Sequence, residues 1–326
     1  MALGTPYALP STVTQAPSGV SWSLLPDPDA DEASQQAALV ALCWRATSRV
    51  DSYCYQPLRA TADTEYLNGP GVPRCNVDPN TGAGVLNVKR WPVTEVLAIQ
   101  VSPSRSFPRV WSPVPAGMWD IRHPLLFSGD AASATAPDGG WTIDVAPGYI
   151  GCSPWGRTPA GGFTGGGGRG SQRVQVSYVN GWPHTSLTED AAEGNTVLNV
   201  DDVTGWTRAS GFAYDGSGTE PVTAESVAAT TAMILPDGAG TAQAGPGTIT
   251  LTAPLAFGHQ QGTLISALPA TVIEAAIYAA CAQALDSGIE AVAVQSLSGE
   301  RVSSEQASQD IVADYKKLLD PFRRIM

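Results

Sequence analysis

Three histidines, five cysteines, two adjacent aspartates and a glycine-rich loop are the residues of this chain whose types could support chemistry. A metal site or a general base would draw on His123, His184 and His259. They lie far apart, each next to Pro or Gly in loop-like sequence and none in a ligand spacing such as HExxH, so neither role is expected of them. Asp201 and Asp202 with the nearby Glu220 could make a carboxylate pair or a calcium site. The EF-hand spacing is absent, and acids at a strand end are expected to be solvated turn residues. The run GGFTGGGGRG at 161–170 could cradle phosphate, but no Lys-Ser or Lys-Thr completes it and no helix follows, so it reads as a flexible loop. No GxSxG elbow supports a nucleophile. Cys43, Cys54, Cys75, Cys152 and Cys281 are odd in number and show no CxxC spacing, which suits buried free thiols in a reducing compartment. The expectation is a protein that is not an enzyme and uses no metal or cofactor.

Two other groups point to recognition. Trp91, Trp111, Trp119, Trp141, Trp155 and Trp182 crowd the middle of the chain, where they serve either as core and loop anchors or as platforms for sugars or protein partners. Lys316, Lys317, Arg323 and Arg324 end the chain, either to dock on an acidic partner or as a solvated helix end facing its own dipole. Tyr7, Leu9 and Trp22 are the apolar residues that a Pro-rich start could offer to a neighbour.

The formal charge is −12 with lysine only at 89, 316 and 317, which leaves no broad basic face for gripping nucleic acid. An acidic wall that DNA slides past is compatible with it. Hydrophobic residues at 43% against 15% charged exclude a disordered chain, and 326 residues suit two or three folded units. The start has no basic region followed by an apolar core, and no run approaches the ~20 apolar residues of a membrane span, so a protein made in cytoplasm without a membrane segment is expected.

The elements that must position these residues follow from periodicity. Residues 1–28 hold five prolines without periodicity and read as an extended arm. Acids at 27, 29, 31 and 32 precede Leu39, Leu42, Cys43, Ala46, Val50 and Tyr53 at helical spacing, a first helix ending before Pro57. Short strands are expected at 65–67, 85–88, 95–101, 141–145 and 173–179. A separate small β unit at 187–265 has strands at 196–200 and 248–252, whose texts NTVLNVDDVTGW and GTITLTAPLAFG are weakly alike. After Pro269 a stripe of mostly small apolar residues predicts a helix to about Gly288. A hairpin about Ser298-Gly299 and a last helix to Pro321, with Ser303 and Gln306 at capping-box spacing, complete the chain. The fold class expected is α+β: a small helical core from the N- and C-terminal segments (29–60 and 268–326), a β-rich domain at 61–186 and an inserted small β domain at 187–267.

In this order the features resemble the head-to-tail connector, or adaptor, proteins of tailed bacteriophages. The resemblance is carried by the helix ending RVDSYCY at 49–55, by TEYLNG at 64–69, WPV at 91–93 and VQVSYVNGW at 174–182, by the Leu268-Pro269 helix start, and by SGE at 298–300 followed by LDPFRR at 319–324. The segment 187–265 and the Gly-rich centre depart from it. The resemblance implies copies forming a ring, twelve-fold like the portal it sits on, at the neck of the virion. Its partners would be itself, the portal protein and a stopper or tail-completion protein, with DNA passing through without specific binding and no membrane involved. On this reading the three helices build the ring, the inserted β unit is peripheral, and the basic end docks on the portal. A tail-tube or tail-terminator component and a glycan-binding β module are the rival readings.

Overall fold

The computed structural model describes residues 4–16, 20, 22, 25, 29, 31–68, 75–77, 83–102, 109–122, 142–147, 149–150, 173–215, 218–286 and 304–323. It is mixed α and β, with several sheets. Contacts divide the chain into two units. One comprises Met1–Arg59, Pro183–Ala228 and Pro246–Met326, and the other Ala60–Trp182 and Ala229–Gly245.

Among the described residues the first unit holds four α-helices: α1 (Pro10–Gln15), α2 (Glu32–Cys54), α3 (Ala270–Asp286) and α4 (Ser304–Leu319). α2 begins where Asp31, in extended conformation, accepts a 2.7 Å hydrogen bond from the Ser34 N–H, with Glu32 adding charge that suits the helix dipole. It ends at Tyr55, which adopts the left-handed conformation at φ 57°. Leu39, Leu42, Cys43, Ala46, Thr47, Val50 and Cys54 form its buried stripe. α3 is buried nearly all round through Val272, Ala275, Ala276, Ala279, Ala280, Cys281, Ala282 and Ala284, and it packs against both α2 and α4. Side chains this small let neighbouring helices pack on more than one side. Ser308 of α4 donates to Asp286 at 2.5 Å, fixing the start of α4 against the end of α3.

The expected extended arm is corrected over residues 4–16. Pro10 opens a helix instead of continuing an extension, and Tyr7 is fully buried in its own chain. Its hydroxyl donates to Asp51 at 2.5 Å and accepts from the backbone N–H groups of Leu58 (2.8 Å) and Arg59 (3.0 Å). Its own N–H donates to the Thr47 hydroxyl at 3.0 Å. Burial, first, and then the Asp51 carboxylate push the phenol well above its ordinary pKa, so it stays a donor.

Among the described residues the same unit contains a six-stranded sheet in the order Val197–Val200, Gly247–Leu251, Gly218–Ala229, Ser210–Asp215, Leu264–Ser266, His184–Ser186. A bridge between Leu187 and Val200 joins the two edges, so the sheet closes on itself as a small barrel. The two texts that look alike in the sequence, near 197 and 248, are direct partners in it, with Leu198 opposite Ile249. Gly211 is required by close approach: a Cβ there would lie 2.6 Å from the Ser266 carbonyl oxygen. Glu220 is corrected from a solvated acid to a buried one. It shares a strand face with Val222 and Ala224 and accepts from His259 at 2.9 Å and from the Ala256 N–H at 2.5 Å. Asp202 does serve a turn, accepting from the Thr204 N–H at 2.9 Å.

The sequence reading divides the chain differently, setting 187–267 apart from the helices. Contacts instead group most of that segment with them and give 229–245 to the other unit. The physical tie is polar. The His184 Nε2–H donates to the Pro6 carbonyl at 2.9 Å, which leaves Nδ1 to accept from the Ser266 hydroxyl at 2.8 Å, and the His184 ring meets Tyr7 edge-on at 5.6 Å.

In the second unit, Thr61–Asn68, Arg173–Asn180, Val93–Ser102 and Ser112–Pro113 form one antiparallel sheet in that order. Cys75–Val77, Gly84–Asn87, Thr142–Val145 and Trp119–Arg122 form another. Both contribute to one core, including Leu67, Leu86, Ile99, Ile143, Val174, Val176 and Tyr178. The strands expected from alternation at 85–88, 95–101 and 173–179 are here, within a residue or two at each end. Arg173–Asn180 is central and buried on both faces. The Tyr178 hydroxyl donates to Glu65, and Asn180 donates to Asp63 at 2.6 Å, so the TEYLNG and VQVSYVNGW runs are hydrogen-bonded partners. Trp141, Trp155, the 161–170 loop, His123, Cys152 and the 298–299 hairpin lie outside the described residues.

Two outcomes follow for stability. Tyr7→Phe leaves the Arg59 N–H and Asp51 without their phenol partner and should cost about 2–3 kcal/mol in chemical unfolding; a cost under about 0.5 kcal/mol would show that the hydroxyl is not what holds this junction. Burial, foremost, lowers the His184 pKa from 6.5 to about 4, with Arg59 also lowering it and the Pro6 bond and Asp202 opposing. The unfolded chain therefore takes up the proton first, so this stability is complete above about pH 6.5 and drains away as pH falls toward 4, by about 3 kcal/mol. Urea unfolding across that window should show the loss in the native chain and a flatter profile in His184→Gln.

Candidate docking surface

The residues that the sequence offered for docking come from the end of the chain, and the structure sets two of them, Lys316 and Arg323, beside the end of α2. Lys316 and Lys317 occupy the last turn of α4, exposed, where positive charge complements the helix dipole. α4 stops at Leu319 because Asp320-Pro321 begins a short 3-10 turn, Asp320–Phe322, which carries the chain to Arg323. Arg324 lies outside the described residues.

Arg323 lies over the Tyr53 ring at 5.3 Å and the Tyr55 ring at 5.5 Å, and the Lys316 ammonium is 6.0 Å from Tyr53. The Tyr53 hydroxyl donates to Asp320 at 2.6 Å, and this bond, ahead of burial, raises the phenol's pKa. Arg323, fully exposed, is held even more firmly charged, first by its hydrogen bond with Tyr55. Beneath them the Cys54 thiol is pushed up to about 12 by burial and stays protonated and inert. The result is a solvent-facing set of two tyrosines, an arginine and a lysine anchored by one aspartate. Tyr and Arg supply much of the binding energy at protein interfaces, because each offers large contact area with a polar tip.

Tyr53 and Tyr55 were not legible as site residues. Tyr53 fits the apolar period of α2, and it is half-buried with its hydroxyl on Asp320. Tyr55 is 46% exposed and sits at a left-handed position where glycine would be unstrained. That left-handed conformation is visible only in the structure, and no residue type in the sequence marks it.

Of the proposed arm contacts, Tyr7 is unavailable to a neighbour because it is buried in its own chain. Leu9 is half-buried as the N-cap of α1, and Trp22 is half-buried as well. His184 and His259 are both committed to buried hydrogen bonds. Among the described residues, no three of His, Cys, Asp and Glu gather as a metal site, and no helix is long and apolar enough to cross a membrane. No protein-family model, curated protein or solved structure matches the chain.

Replacing Tyr55 by Gly separates backbone cost from surface role. Relief of the left-handed strain should raise stability by about 0.5–1 kcal/mol in urea unfolding, while the aromatic partner of Arg323 is lost. A net loss above about 1 kcal/mol would show that packing, not presentation, keeps the ring.

Proposed function

We propose that this protein is a head-to-tail connector of a tailed bacteriophage, a structural subunit that forms a ring on the portal vertex and presents the next surface to a stopper or tail component. The observation that carries the reading is the junction at the end of α2: the RVDSYCY run and the LDPFRR run, both part of the resemblance, come together there as one exposed aromatic and cationic surface. The hydrogen-bonded pairing of two further runs of the resemblance, TEYLNG and VQVSYVNGW, through Glu65–Tyr178 and Thr64–Ser177, adds to it.

The division of labour follows from charge and packing. α2, α3 and α4 form the ring-building core, with the barrel as an inserted β element bonded to the same unit. In a chain of net charge −12, the basic residues at 316, 317, 323 and 324 are a local exception suited to an acidic portal surface. The remaining acidity suits a channel that passes DNA without retaining it. A ring needs two complementary faces on each subunit, and its closure sets the copy number, which the portal's twelve-fold symmetry fixes.

The test is the protein mixed with packaged, tailless capsids and examined by light scattering and electron microscopy. A ring capping the portal vertex is expected, with Lys316, Lys317, Arg323 and Arg324 all replaced by Ala weakening attachment by at least about tenfold. A protein that never joins the vertex overturns the connector reading. Unchanged attachment of the fourfold variant removes the docking role of the basic end while leaving the ring.

A further inference from the structure

Two exposed surfaces of the first unit carry opposite charge, and neither belongs to the docking surface at the end of α2. The first is a face of α2 itself. Ala37, Val40, Ala41 and Arg45 are exposed along it, with Trp44 half-buried on the same face. The Arg59 guanidinium lies over the Trp44 ring at 5.8 Å. From Ala33 to Val50 the helix has two arginines, Arg45 and Arg49, and no acid. Arg49 is 3.9 Å from Asp286, a loose pair between side chains that both remain in water. In a chain of net charge −12 this face is therefore basic, with apolar side chains along it.

The second surface is one end of the barrel, where the segments 188–195 and 252–259 run side by side. The Gly194 N–H donates to the Leu255 carbonyl and the Leu255 N–H to the Asn195 carbonyl, both at 2.9 Å, and Ala191 and His259 exchange backbone bonds of 2.8 and 2.7 Å. Glu189, Asp190 and Glu193 are exposed there, and neither segment contains Lys or Arg. Phe257 is 65% exposed between them and cannot simply turn inward. Glu220 accepts from the Ala256 N–H at 2.5 Å and from the His259 side chain at 2.9 Å, so the residues before and after the Phe257–Gly258 step are both anchored to one buried carboxylate. The buried pair thus holds an aromatic ring in water in a fixed place, where it loses little freedom on contact.

We infer that these surfaces are the two halves of one contact between copies of the chain: the Phe257 end of one barrel seats on the α2 face of the next copy, with Phe257 against Ala37, Val40 and Ala41 and Glu193 facing Arg45. A second copy is the occupant because each face supplies the charge that the other lacks, and an exposed ring on one meets small side chains on the other. Contact between two different faces is head-to-tail, the kind that closes a ring. The contact deepens the connector reading and rests on it only for the place of the ring, since association is a property of the free chain.

Sedimentation velocity of the full chain from about 10 to 500 µM should show self-association with a Kd below about 200 µM. Phe257→Ser, Arg45→Glu and Glu193→Arg should each weaken it by at least about tenfold, with urea midpoints unchanged because all three positions are exposed. Mixed in equal amounts, the R45E and E193R chains should associate again, since each now supplies the charge that the other's altered face requires. Lost folding gives no such rescue. An absence of concentration-dependent association, association unchanged by the three substitutions, or a mixture no better than either variant alone would each overturn the inference. Self-association with rescue by mixing upholds it even for a chain that never joins the portal vertex, the result that removes the connector reading alone.

Discussion

The first unit depends on a single buried phenol. Tyr7 brings together the N-terminal segment that carries it, α2 through Asp51 and Thr47, and the exit of α2 through the Leu58 and Arg59 amides, and its ring meets His184 of the barrel. A buried hydroxyl must have its donor and acceptor capacity met, and here the partners come from segments up to 52 residues apart in the chain. The N-terminal segment consequently folds onto α2, and the polypeptide leaving α2 has a fixed direction. The side chains that present the docking surface begin two residues after Asp51.

α3 supplies the complementary constraint. Its small residues permit burial against both α2 and α4, so the end of α4 and the 3-10 turn after it reach the end of α2. The exposed tyrosines and basic groups are products of that arrangement: Tyr53 is tied to Asp320, and Arg323 lies against two rings. In the second unit the controlling feature is the doubly buried strand Arg173–Asn180. One face feeds the apolar core, and the other offers Gln175, which takes part in holding the 236–238 turn.

Much of the secondary structure was legible because local rules and tertiary packing agree. α2 announces its start with an acidic cap, α3 follows a proline at a helix start, and the strand near 173 alternates so that Val174, Val176 and Tyr178 reach the core, although its polar face is buried as well. Gly218–Ala229 was missed because Pro221, two acids and several small residues hide a strand whose buried face is only Glu220, Val222 and Ala224. The chain's division also escaped reading: a boundary follows contacts, and the bonds joining Pro6, His184 and Ser266 span residues more than 80 positions apart. At the candidate surface the cations were visible as a charge run, but the tyrosines were not, since one obeys the helical period and the other occupies a backbone position that types alone do not mark.

The sequence by itself determined the mixed α and β class, the positions of the main helices and several strands, the acidic balance with its basic end, and the resemblance on which the connector proposal rests. These properties follow from composition and short-range periodicity. Only the tertiary structure decided that the sheet around Leu187 and Val200 closes, that Glu220 is buried against His259, that Tyr7 belongs to its own chain, and that the α2 end meets Arg323. Each of those depends on which distant partner satisfies a buried polar group or covers a side chain. That choice is made by the whole chain's packing and has no local signature.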